Sequence, residues 1–358
     1  MRVLHIITSL NIGGAEKLMV DLLPRLKASG VNVELLLFDG TRTMFYEQLE
    51  KENVKIHVFS DGGNVYNPKH IFRLYRFLKK NEFDIIHTHN TAPQIFAAIV
   101  SLFVPLNLVT TEHNTTNRRR NWKWYKSIDM WMYGRYNHVI CISRGTENNL
   151  RKYLNATSEK FFTVYNGVNV KTYECAKATY TSSESKSIIT MVAAFRPQKD
   201  QDTLIKAFTM LPKDKFELWL VGDGLRREQL EELAAATIPA HTVKFWGNRY
   251  DIPNILMSSN LVVMSSHYEG FGLTAVEGMA AGKPFIASDV EGLREIVDGA
   301  GLLFKRGDFN QLANLILELT KDVDVYNIIA EKCLQRARQY DISKMLEGYI
   351  SVYKSMLS

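Results

Sequence analysis

The sequence has no apolar run long enough to cross a membrane. Its longest run, residues 95–104, lies between Pro93 and Pro105 and falls far short of the roughly 20 residues that a membrane-spanning helix needs. The N-terminus also lacks the pattern of a secretory signal, because the strand-like residues 3–7 lead to Gly13-Gly14 without a cleavage region. We therefore expect a buried helix at residues 95–104 and a cytoplasmic chain.

Cysteine is scarce as well. Cys141, Cys175 and Cys333 are scattered and odd in number. They exclude the disulfide framework of small secreted domains and offer no metal-ligand spacing. The pattern fits a reducing cytoplasm.

A complete dinucleotide-binding fingerprint is missing. Gly222-Asp-Gly224 follows a predicted strand, but Arg227 occupies the position of the third glycine. A nicotinamide-dependent enzyme is therefore disfavoured.

The composition is that of an ordinary globular protein, with 46% hydrophobic and 23% charged residues in a chain of 358. This length fits two domains of ordinary size. The charge is uneven: residues 1–175 carry 23 basic and 15 acidic side chains, whereas the remainder carries 21 and 23. The basic first half indicates an anionic partner for that half only.

Strand and helix signals alternate along both halves, which predicts two parallel sheets wrapped by helices. The Ser- and Thr-rich stretch after residue 175 has no periodicity and predicts a linker. Ligands of such folds bind at the carboxyl ends of the strands. The predicted divisions are an N-terminal domain at 1–175, a linker at 176–187, a C-terminal domain at 188–342 and a terminal helix at 343–358. The predicted strands are residues 3–7, 31–38, 55–59, 84–87, 108–111, 138–142, 188–193, 217–221, 243–245, 261–264 and 285–287.

Residues 269–277 carry the most specific pattern in the chain. Glu269 and Glu277 flank a glycine-containing turn, and a helix is expected to begin near Leu273. The amides of Gly272, Leu273 and Thr274 would then be free donors at a helix N-terminus, which favours a bound phosphate. An acceptor on each side of an anion site suits a sugar, a diphosphate and a ribose laid end to end.

This segment resembles the signature of the retaining GT-B glycosyltransferases of family GT4, which include bacterial surface-polysaccharide glycosyltransferases. The matching string is Glu269-Gly-Phe-Gly-Leu-Thr-Ala-Val-Glu277-Gly-Met-Ala-Ala-Gly-Lys-Pro284, followed by Ala287-Ser-Asp289 and Gly292-Leu-Arg-Glu-Ile-Val297. The resemblance extends over nearly the full chain. It implies two Rossmann-like doubly wound domains facing across a cleft, with a C-terminal helix that packs back on the first domain.

The resemblance also implies roles on the donor side. Glu269 would hold sugar hydroxyls, Glu277 would hold the ribose, and Lys199 would grip the diphosphate. The family places an arginine where this chain has Ala194. Arg196 is a candidate replacement, because a guanidinium on a flexible stem reaches phosphate by several routes; the alternative is a solvated loop charge.

In the first half, Gly13 and Gly14 follow the first predicted strand and open the first predicted helix. They form either a turn that needs glycine's conformational freedom or, as the resemblance implies, backbone next to the donor diphosphate or the acceptor. His113 matches the family position that lines the acceptor pocket, so it is the catalytic candidate of this half; a structural histidine is the alternative. His87 and His89 alternate at a strand end without a carboxylate or cysteine cluster, so we expect no metal site.

Cations and aromatic residues are mixed at residues 118–126. Such a segment suits a membrane interface, single-stranded nucleic acid or an ordinary surface loop. No nucleic-acid-binding fold signature accompanies it, so we expect an anionic membrane surface or lipid-linked acceptor and no nucleic acid. The residues concerned are Arg118, Arg119, Arg120, Trp122, Lys123 and Trp124.

The resemblance predicts a retaining glycosyltransferase that moves a sugar from a nucleotide-diphosphate donor to a hydroxyl of a glycan or lipid-linked acceptor in surface-polysaccharide assembly. It implies no cofactor, because cations and amides replace a divalent metal, and a cytoplasmic or peripheral location on the inner face of the membrane. The alternatives are a nucleotide-sugar epimerase, a phosphorylase, for which nothing marks a pyridoxal lysine, and a non-catalytic sugar- or lipid-binding protein.

Overall fold

The computed structural model describes residues 1–11, 13–114, 120, 122, 124–182, 186–239 and 242–357. The chain forms two compact units. Unit 1 comprises Met1–Gly167 and Ile342–Ser358, and unit 2 comprises Val168–Asp341. Each unit is an α/β fold with a parallel sheet, as the alternating pattern predicts.

Unit 1 contains a seven-stranded parallel sheet in the order β3-β2-β1-β4-β5-β6-β7. Its strands are β1 (Arg2–Ile7), β2 (Asn32–Leu37), β3 (Lys55–Val58), β4 (Ile85–His89), β5 (Leu108–Glu112), β6 (His138–Cys141) and β7 (Phe161–Thr163). Its helices are α1 (Gly14–Ala28), α2 (Met44–Lys51), α3 (Lys69–Lys80), α4 (Thr91–Val100), α5 (Tyr125–Gly134), α6 (Arg144–Leu154) and α15 (Ile342–Leu357).

Apolar side chains cover both faces of this sheet. Strands β1, β4 and β5 are buried almost throughout, which is usual for parallel strands that have helices on both sides. One core contains α1 and the terminal helix α15, and the other contains α3, α4 and α6. The C-terminal helix therefore belongs to unit 1, and it contributes Met345, Tyr349 and Tyr353 to the first core.

Unit 2 contains a six-stranded parallel sheet in the order β10-β9-β8-β11-β12-β13. Its strands are β8 (Ser187–Val192), β9 (Phe216–Val221), β10 (Val243–Gly247), β11 (Leu261–Met264), β12 (Phe285–Ser288) and β13 (Leu302–Phe304). Its helices are α7 (Val170–Glu174), α8 (Gln201–Thr209), α9 (Arg227–Thr237), α10 (Ile252–Ser258), α11 (Leu273–Ala280), α12 (Glu291–Val297), α13 (Phe309–Lys321) and α14 (Val323–Gln339), and a 3₁₀ turn lies at Pro197–Lys199.

The division between the units lies after Gly167, whereas the sequence pattern placed it at residue 175. Pairing of residues 168–175 with distant parts of unit 2 explains the difference. Val168 forms a bridge with Asp341, and α7 is joined to α11 through Tyr173 and Glu277. These bonds place residues 168–175 in unit 2.

In both sheets, the order in which successive strands are added reverses next to the first strand. In unit 1, β1 lies between β2 and β4, and in unit 2, β8 lies between β9 and β11. A crevice forms at the carboxyl edge of such a switch point, where doubly wound proteins bind ligands. Within the described residues, no helix has the length and apolar character needed to traverse a lipid bilayer.

Candidate active site

The switch point of unit 2 brings Lys199 and Glu269 together. Lys199 ends the 3₁₀ turn that follows β8, and Glu269 lies on the loop that follows β11. Their ammonium and carboxylate groups form an ion pair, and each side chain is about one-sixth exposed. The site therefore holds one cation and one anion that are accessible to a ligand and close to each other.

Several bonds fix the loops that carry this pair. The Ser265 hydroxyl donates to the Asp200 carbonyl at 2.7 Å, and the His267 amide donates to the Gln198 carbonyl at 2.8 Å. Both bonds join the loop after β11 to the loop after β8, so they hold the backbone segments that carry Lys199 and Glu269 next to each other.

Three glycines allow other segments to approach these loops. A Cβ at Gly292 would lie 2.4 Å from the Glu269 carbonyl oxygen, and one at Gly222 would lie 2.1 Å from the Ala193 carbonyl oxygen. Gly224 has a φ of +156°, and a Cβ there would lie 2.6 Å from the carbonyl oxygen of Phe195. The Gly222-Asp-Gly224 string is thus explained by close packing against the loop after β8.

Helix α11 begins at Leu273, as the sequence predicts. Its N-cap, Gly272, has a φ of +88° and provides no side-chain cap. In the described part of the chain, the amides of Leu273 and Thr274 have no hydrogen-bond acceptor. A Cβ at Gly272 would lie 3.5 Å from Cγ of Glu269, so Glu269 lies beside this helix N-terminus. The end of α11 can accept a negatively charged group.

Glu277 lies inside α11, one turn beyond its start, and is 6% exposed. Its Oε1 accepts a hydrogen bond of 2.7 Å from the hydroxyl of Tyr173 on α7. A buried carboxylate oriented by a tyrosine suits recognition of a neutral polar group such as a diol. Tyr173 was not predicted, because nothing in its local sequence marks it.

Ala194 and Arg196 lie on one turn after β8, where the Arg196 amide donates to the Ala194 carbonyl at 2.8 Å. Both residues are exposed. Among the described residues, the Arg196 guanidinium has no hydrogen-bond or ion-pair partner. It is available to a ligand, which leaves its proposed replacement of the family arginine open to test.

The switch point of unit 1 contains a cavity of about 250 Å³. It lies at the carboxyl ends of β1, β4 and β5, because Thr8, Asn90 and His113 directly follow those strands. The remaining lining residues are Val65, Tyr66, Thr91, Gln94, Thr111, Glu112 and Asn114. The lining is mostly polar, as a saccharide site requires.

Gly13 and Gly14 begin α1 at the end of the loop after β1. The φ of Gly13 is −170°, so this position does not need glycine's left-handed conformation. Instead, a Cβ there would lie 2.2 Å from Oε2 of Glu16, which folds back over the helix N-terminus. Burial raises the pKa of Glu16, and its Oε1 accepts from the Asn90 side chain at 3.4 Å.

His113 is connected to three other histidines in the core of unit 1. His89 bonds to His113 at 3.0 Å, and His5 bonds to His89 at 3.0 Å. His5 is the register partner of His87 in the neighbouring strand. The sequence analysis missed His5, although a histidine inside an otherwise apolar strand was a usable signal.

Burial keeps these imidazoles neutral. Loss of hydration lowers the pKa of His5 to about 3 and that of His113 to about 4. The same cause, with repulsion among the four rings, lowers the pKa of His87 and His89 well below the usual range. At neutral pH, His113 is therefore an uncharged ring at the cavity wall.

Ring nitrogens of His5, His87 and His89 lie within 4.8 Å of one another, a spacing compatible with a metal ion. All six ring nitrogens of these residues also have hydrogen-bond partners in the protein. Hydrogen bonding thus accounts for their arrangement, and the absence of a metal stays a prediction.

Within the basic segment at residues 118–126, Arg120 does not have the exposed position that contact with an anionic membrane surface requires. Its side chain is 9% exposed, pairs with Glu112 at 3.3 Å and lies over the ring of Tyr153. Arg120 therefore cannot dock on a membrane, because its charge is neutralised inside unit 1. Trp122 and Trp124 are exposed and stacked on each other. The other predicted members, Arg118, Arg119 and Lys123, lie outside the described residues.

Comparison with known families decides the class of protein. Residues 174–339 match the family described as glycosyl transferases group 1, and residues 12–172 match glycosyltransferase family 4. The chain is a glycosyltransferase that combines a family 4 region with a group 1 region. The two matches cover both units, and they meet near the division that separates them.

Relatives and solved structures are similar to this glycosyltransferase over most of their length. An uncharacterized glycosyltransferase of Methanocaldococcus jannaschii is 27% identical over 96% of this chain and 95% of its own. The Escherichia coli UDP-Gal:alpha-D-GlcNAc-diphosphoundecaprenol alpha-1,3-galactosyltransferase is 26% identical over 81% of this chain and 80% of its own. The crystal structure of Anabaena Alr3699/HepE with UDP-glucose has a TM-score of 0.85 at 23% identity and covers 99% of this chain and 100% of that one. This structural likeness shows the GT-B fold.

Proposed function

We propose that this glycosyltransferase transfers a sugar from a nucleoside-diphosphate donor to a hydroxyl of a lipid-linked saccharide, with retention of the anomeric configuration. One observation carries the proposal: the Lys199–Glu269 pair lies at the uncapped N-terminus of α11. This arrangement supports the proposal, because a cation and free amides suit a diphosphate and a carboxylate suits sugar hydroxyls.

The donor site takes its parts from unit 2. Lys199, Arg196 and the amides of Gly272, Leu273 and Thr274 bind the diphosphate. Glu269 accepts hydrogen bonds from sugar hydroxyls, and Glu277 accepts them from the ribose. When the nucleotide sugar binds, the Lys199–Glu269 ion pair separates. Lys199 then pairs with the diphosphate, and Glu269 accepts hydrogen bonds from the sugar hydroxyls.

The chemical step needs no protein nucleophile in this proposal. The bond between the anomeric carbon and the diphosphate oxygen breaks, and the acceptor oxygen bonds to that carbon on the same face. The acceptor's hydroxyl proton passes to the departing phosphate. Lys199, Arg196 and the α11 amides stabilise the negative charge that develops on the leaving group. Because these groups perform the role of a divalent cation, activity is expected to persist in EDTA.

The acceptor site takes its parts from unit 1, where Gly13, Gly14 and His113 lie at the switch point of the sheet. The Escherichia coli relative is named for a diphosphoundecaprenol-linked acceptor, and a Campylobacter jejuni relative is also named for a diphospho-undecaprenol substrate. We propose the same class of acceptor here, in the assembly of a surface polysaccharide.

The decisive experiment incubates the purified protein with a panel of nucleotide sugars and follows release of the nucleoside diphosphate. A transferase without acceptor releases it slowly by hydrolysis, and a polyprenyl-diphosphate saccharide accelerates the release. Lys199→Met is the matched inactive control. An epimerase would convert the donor into its isomer without net release, and a binding protein would bind donor without turnover; either result would reject the proposal.

Retention is tested separately by proton NMR of the first product formed from an α-linked donor. An α-linked product supports retention, and a β-linked product excludes it. Because this measurement uses an active enzyme, its outcome is independent of the assignment of the donor.

We further propose that the enzyme works at the cytoplasmic face of the membrane through a cationic face of α3. The helix contains no acidic residue. Phe72 on α3 is 60% exposed, and the neighbouring Phe103, which contacts Tyr75, is 69% exposed. Exposed cations beside exposed aromatic rings suit an anionic lipid surface. The exposed cations of this helix are Lys69, Arg73, Arg76, Lys79 and Lys80.

A further inference from the structure

A continuous chain of hydrogen bonds runs through the core of unit 1 and ends at the cavity. It links, in order, Tyr349, Thr111, His87, Tyr353, His5, His89 and His113. The successive distances are 3.1, 2.8, 2.6, 3.2, 3.0 and 3.0 Å. Six of the seven residues are at most 1% exposed, so water does not compete with these bonds.

Each member of this chain has one proton to donate. A neutral imidazole carries one N–H and one bare nitrogen, and a hydroxyl carries one O–H. The four histidines are neutral, because burial lowers the pKa of every one. The seven groups thus supply one proton for each of the six bonds and one that points out of the chain.

Four arrangements satisfy every bond, because a hydroxyl oxygen can accept two hydrogen bonds whereas a neutral imidazole accepts one. In one, all groups donate towards His113, and the outward proton is on His113 Nδ1. In the other three, all groups donate towards one hydroxyl, that of Tyr349, Thr111 or Tyr353, which keeps the outward proton. Any further arrangement leaves two bare atoms or two protons facing each other, which costs the free energy of an unsatisfied buried polar group.

The burial of the three hydroxyls selects between these arrangements. Tyr349 is fully buried, and the only hydrogen-bond partner of its hydroxyl among the described residues is Thr111. An outward Tyr349 proton would therefore have no acceptor. The same holds for Thr111 and Tyr353, which are at most 1% exposed and whose hydroxyls have no further partner among the described residues. At the other end, His113 lines the cavity, and its Nδ1 has no partner within the described part of the chain. The outward proton is therefore assigned to Nδ1 of His113, at the cavity wall.

We propose that this chain fixes His113 as the Nδ1–H tautomer, so that His113 donates a hydrogen bond to a hydroxyl oxygen of the acceptor saccharide. The tautomer follows from the hydrogen bonds and the neutral state of the four rings, and its use on a saccharide rests on the proposed function. His113 is then a hydrogen-bond donor and not a general base, because its Nε2 is occupied by His89. Donation from Nδ1 orients the acceptor oxygen while the hydroxyl proton remains free to move to the leaving phosphate. His5, His87, His89, Thr111, Tyr349 and Tyr353 are positioning residues.

The tautomer is measured directly by NMR of the protein labelled with ¹⁵N-histidine, with His113 assigned by the loss of its signals in His113→Asn. The expected spectrum shows His113 protonated at Nδ1 and bare at Nε2. A His113 that is protonated at Nε2, or a cationic ring at neutral pH, overturns the proposal. This readout needs no substrate, so its failure is distinguishable from failure of the proposed function.

Tyr353→Phe tests whether the chain sets the tautomer. The substitution separates His5, His89 and His113 from Tyr349. Either direction of hydrogen-bond donation then leaves one unsatisfied group, so both tautomers of His113 become populated. Thr111→Val cuts the chain at a second point with the same expected result and serves if Tyr353→Phe fails to fold. Tyr136→Phe is the matched control, because Tyr136 is also a buried tyrosine of unit 1 but bonds to Thr88. A single unchanged tautomer in a folded chain variant refutes the relay.

Activity supplies the second readout. The side-chain amide of asparagine places an N–H near the position of Nδ1, whereas that of glutamine reaches the position of Nε2. His113→Asn should retain at least tenfold more kcat/KM for the acceptor than His113→Gln, with hydrolysis of the donor affected equally in both. The reverse order of the two variants contradicts donation from Nδ1.

Discussion

The Tyr173 hydroxyl donates to Oε1 of Glu277 at 2.7 Å and so connects α7 to α11 within unit 2. Both side chains are buried. The bond holds the Glu277 carboxylate in one orientation, and it also explains why residues 168–175 belong to this unit. The Glu277 carboxylate, which we propose binds the ribose, is thus oriented by a residue about one hundred positions earlier in the chain.

Glu277→Ala should weaken nucleotide binding, because it removes charge-assisted hydrogen bonds to a diol, each worth about 1.5–3 kcal/mol. Calorimetry with the nucleoside diphosphate that the donor panel identifies measures the change. Tyr173→Phe is the companion variant: it leaves the carboxylate in place but frees its rotation, so we expect a smaller loss. An unchanged dissociation constant in Glu277→Ala would remove the ribose assignment.

Arg196 and Lys199 are predicted to replace the arginine–lysine pair of the family together. Arg196→Ala should reduce turnover substantially, since the exposed guanidinium is one of the two cations that we propose bind the diphosphate. Adding Ala194→Arg to that variant should restore part of the turnover, because position 194 lies on the same turn and is exposed. Wild-type turnover in Arg196→Ala would show that Arg196 is only a surface charge.

Gly292→Ala should lower turnover without unfolding the protein. The new Cβ would lie 2.4 Å from the Glu269 carbonyl oxygen, so the loop that carries Glu269 must shift. Misplacement of a substrate-binding group by about 1 Å can cost about a hundredfold in rate. Gly134→Ala is the matched control, because a Cβ built at Gly134 would have no atom of the described residues within 4 Å apart from its chain neighbours and its own helix backbone. Equal rates in the two variants would mean that the loop position is not critical.

The fold was predictable because buried parallel strands form short apolar runs between turn signals. The predicted strand at residues 261–264 and the start of a helix at Leu273 agree with β11 and α11. Strands β7 (Phe161–Thr163) and β13 (Leu302–Phe304) were not predicted, since three residues are too few to establish an alternation.

The site was predictable only where one continuous string carried it. The segment from Glu269 to Glu277 is such a string. Tyr349 and Tyr353, by contrast, meet His87 and its neighbours across more than two hundred residues, a pairing that only the tertiary structure creates. Arg120 was misassigned for a related reason: a run of three arginines suggests exposure, and its pairing with Glu112 is invisible in the local sequence.

Acid should destabilise the protein between about pH 6.5 and pH 4. The pKa values of His5, His87, His89 and His113 are lowered in the folded state, so the unfolded chain binds protons first as the pH falls through the ordinary value of about 6.5. The contribution of these groups to the free energy of unfolding is complete above that pH. As the pH falls below it, the contribution decreases by up to about 1.4 kcal/mol per pH unit for each histidine.

Urea unfolding at pH 7, 6 and 5 measures this dependence. His87→Gln retains a buried polar side chain but removes one titrating ring, so its unfolding free energy should fall less steeply with acid than that of the wild type. A free energy of unfolding that is constant from pH 7 to pH 5 would contradict the buried neutral state of the four rings.

Membrane association is predicted to depend on α3 and not on Arg120. The combined variant Arg76→Gln, Lys79→Gln and Lys80→Gln should lose roughly 1 kcal/mol of binding to anionic vesicles per charge, with little loss on neutral vesicles. Raising the salt should weaken wild-type binding in the same way, because exposed charges are screened over about 8–10 Å at physiological ionic strength. Co-sedimentation with vesicles that contain or lack phosphatidylglycerol measures both effects.

Two controls sharpen this test. Neutralising Lys206, Lys213 and Lys215, three exposed lysines of unit 2, removes the same charge from the chain but leaves α3 intact, and it should preserve vesicle binding. Arg120→Gln should lower the free energy of unfolding, since it leaves the buried Glu112 carboxylate without its ion-pair partner, and it should not change lipid affinity. If the α3 variant and the unit 2 variant bind vesicles equally well, α3 is not the docking face. If wild-type binding is indifferent to lipid charge, the basic excess of residues 1–175 serves a soluble acceptor.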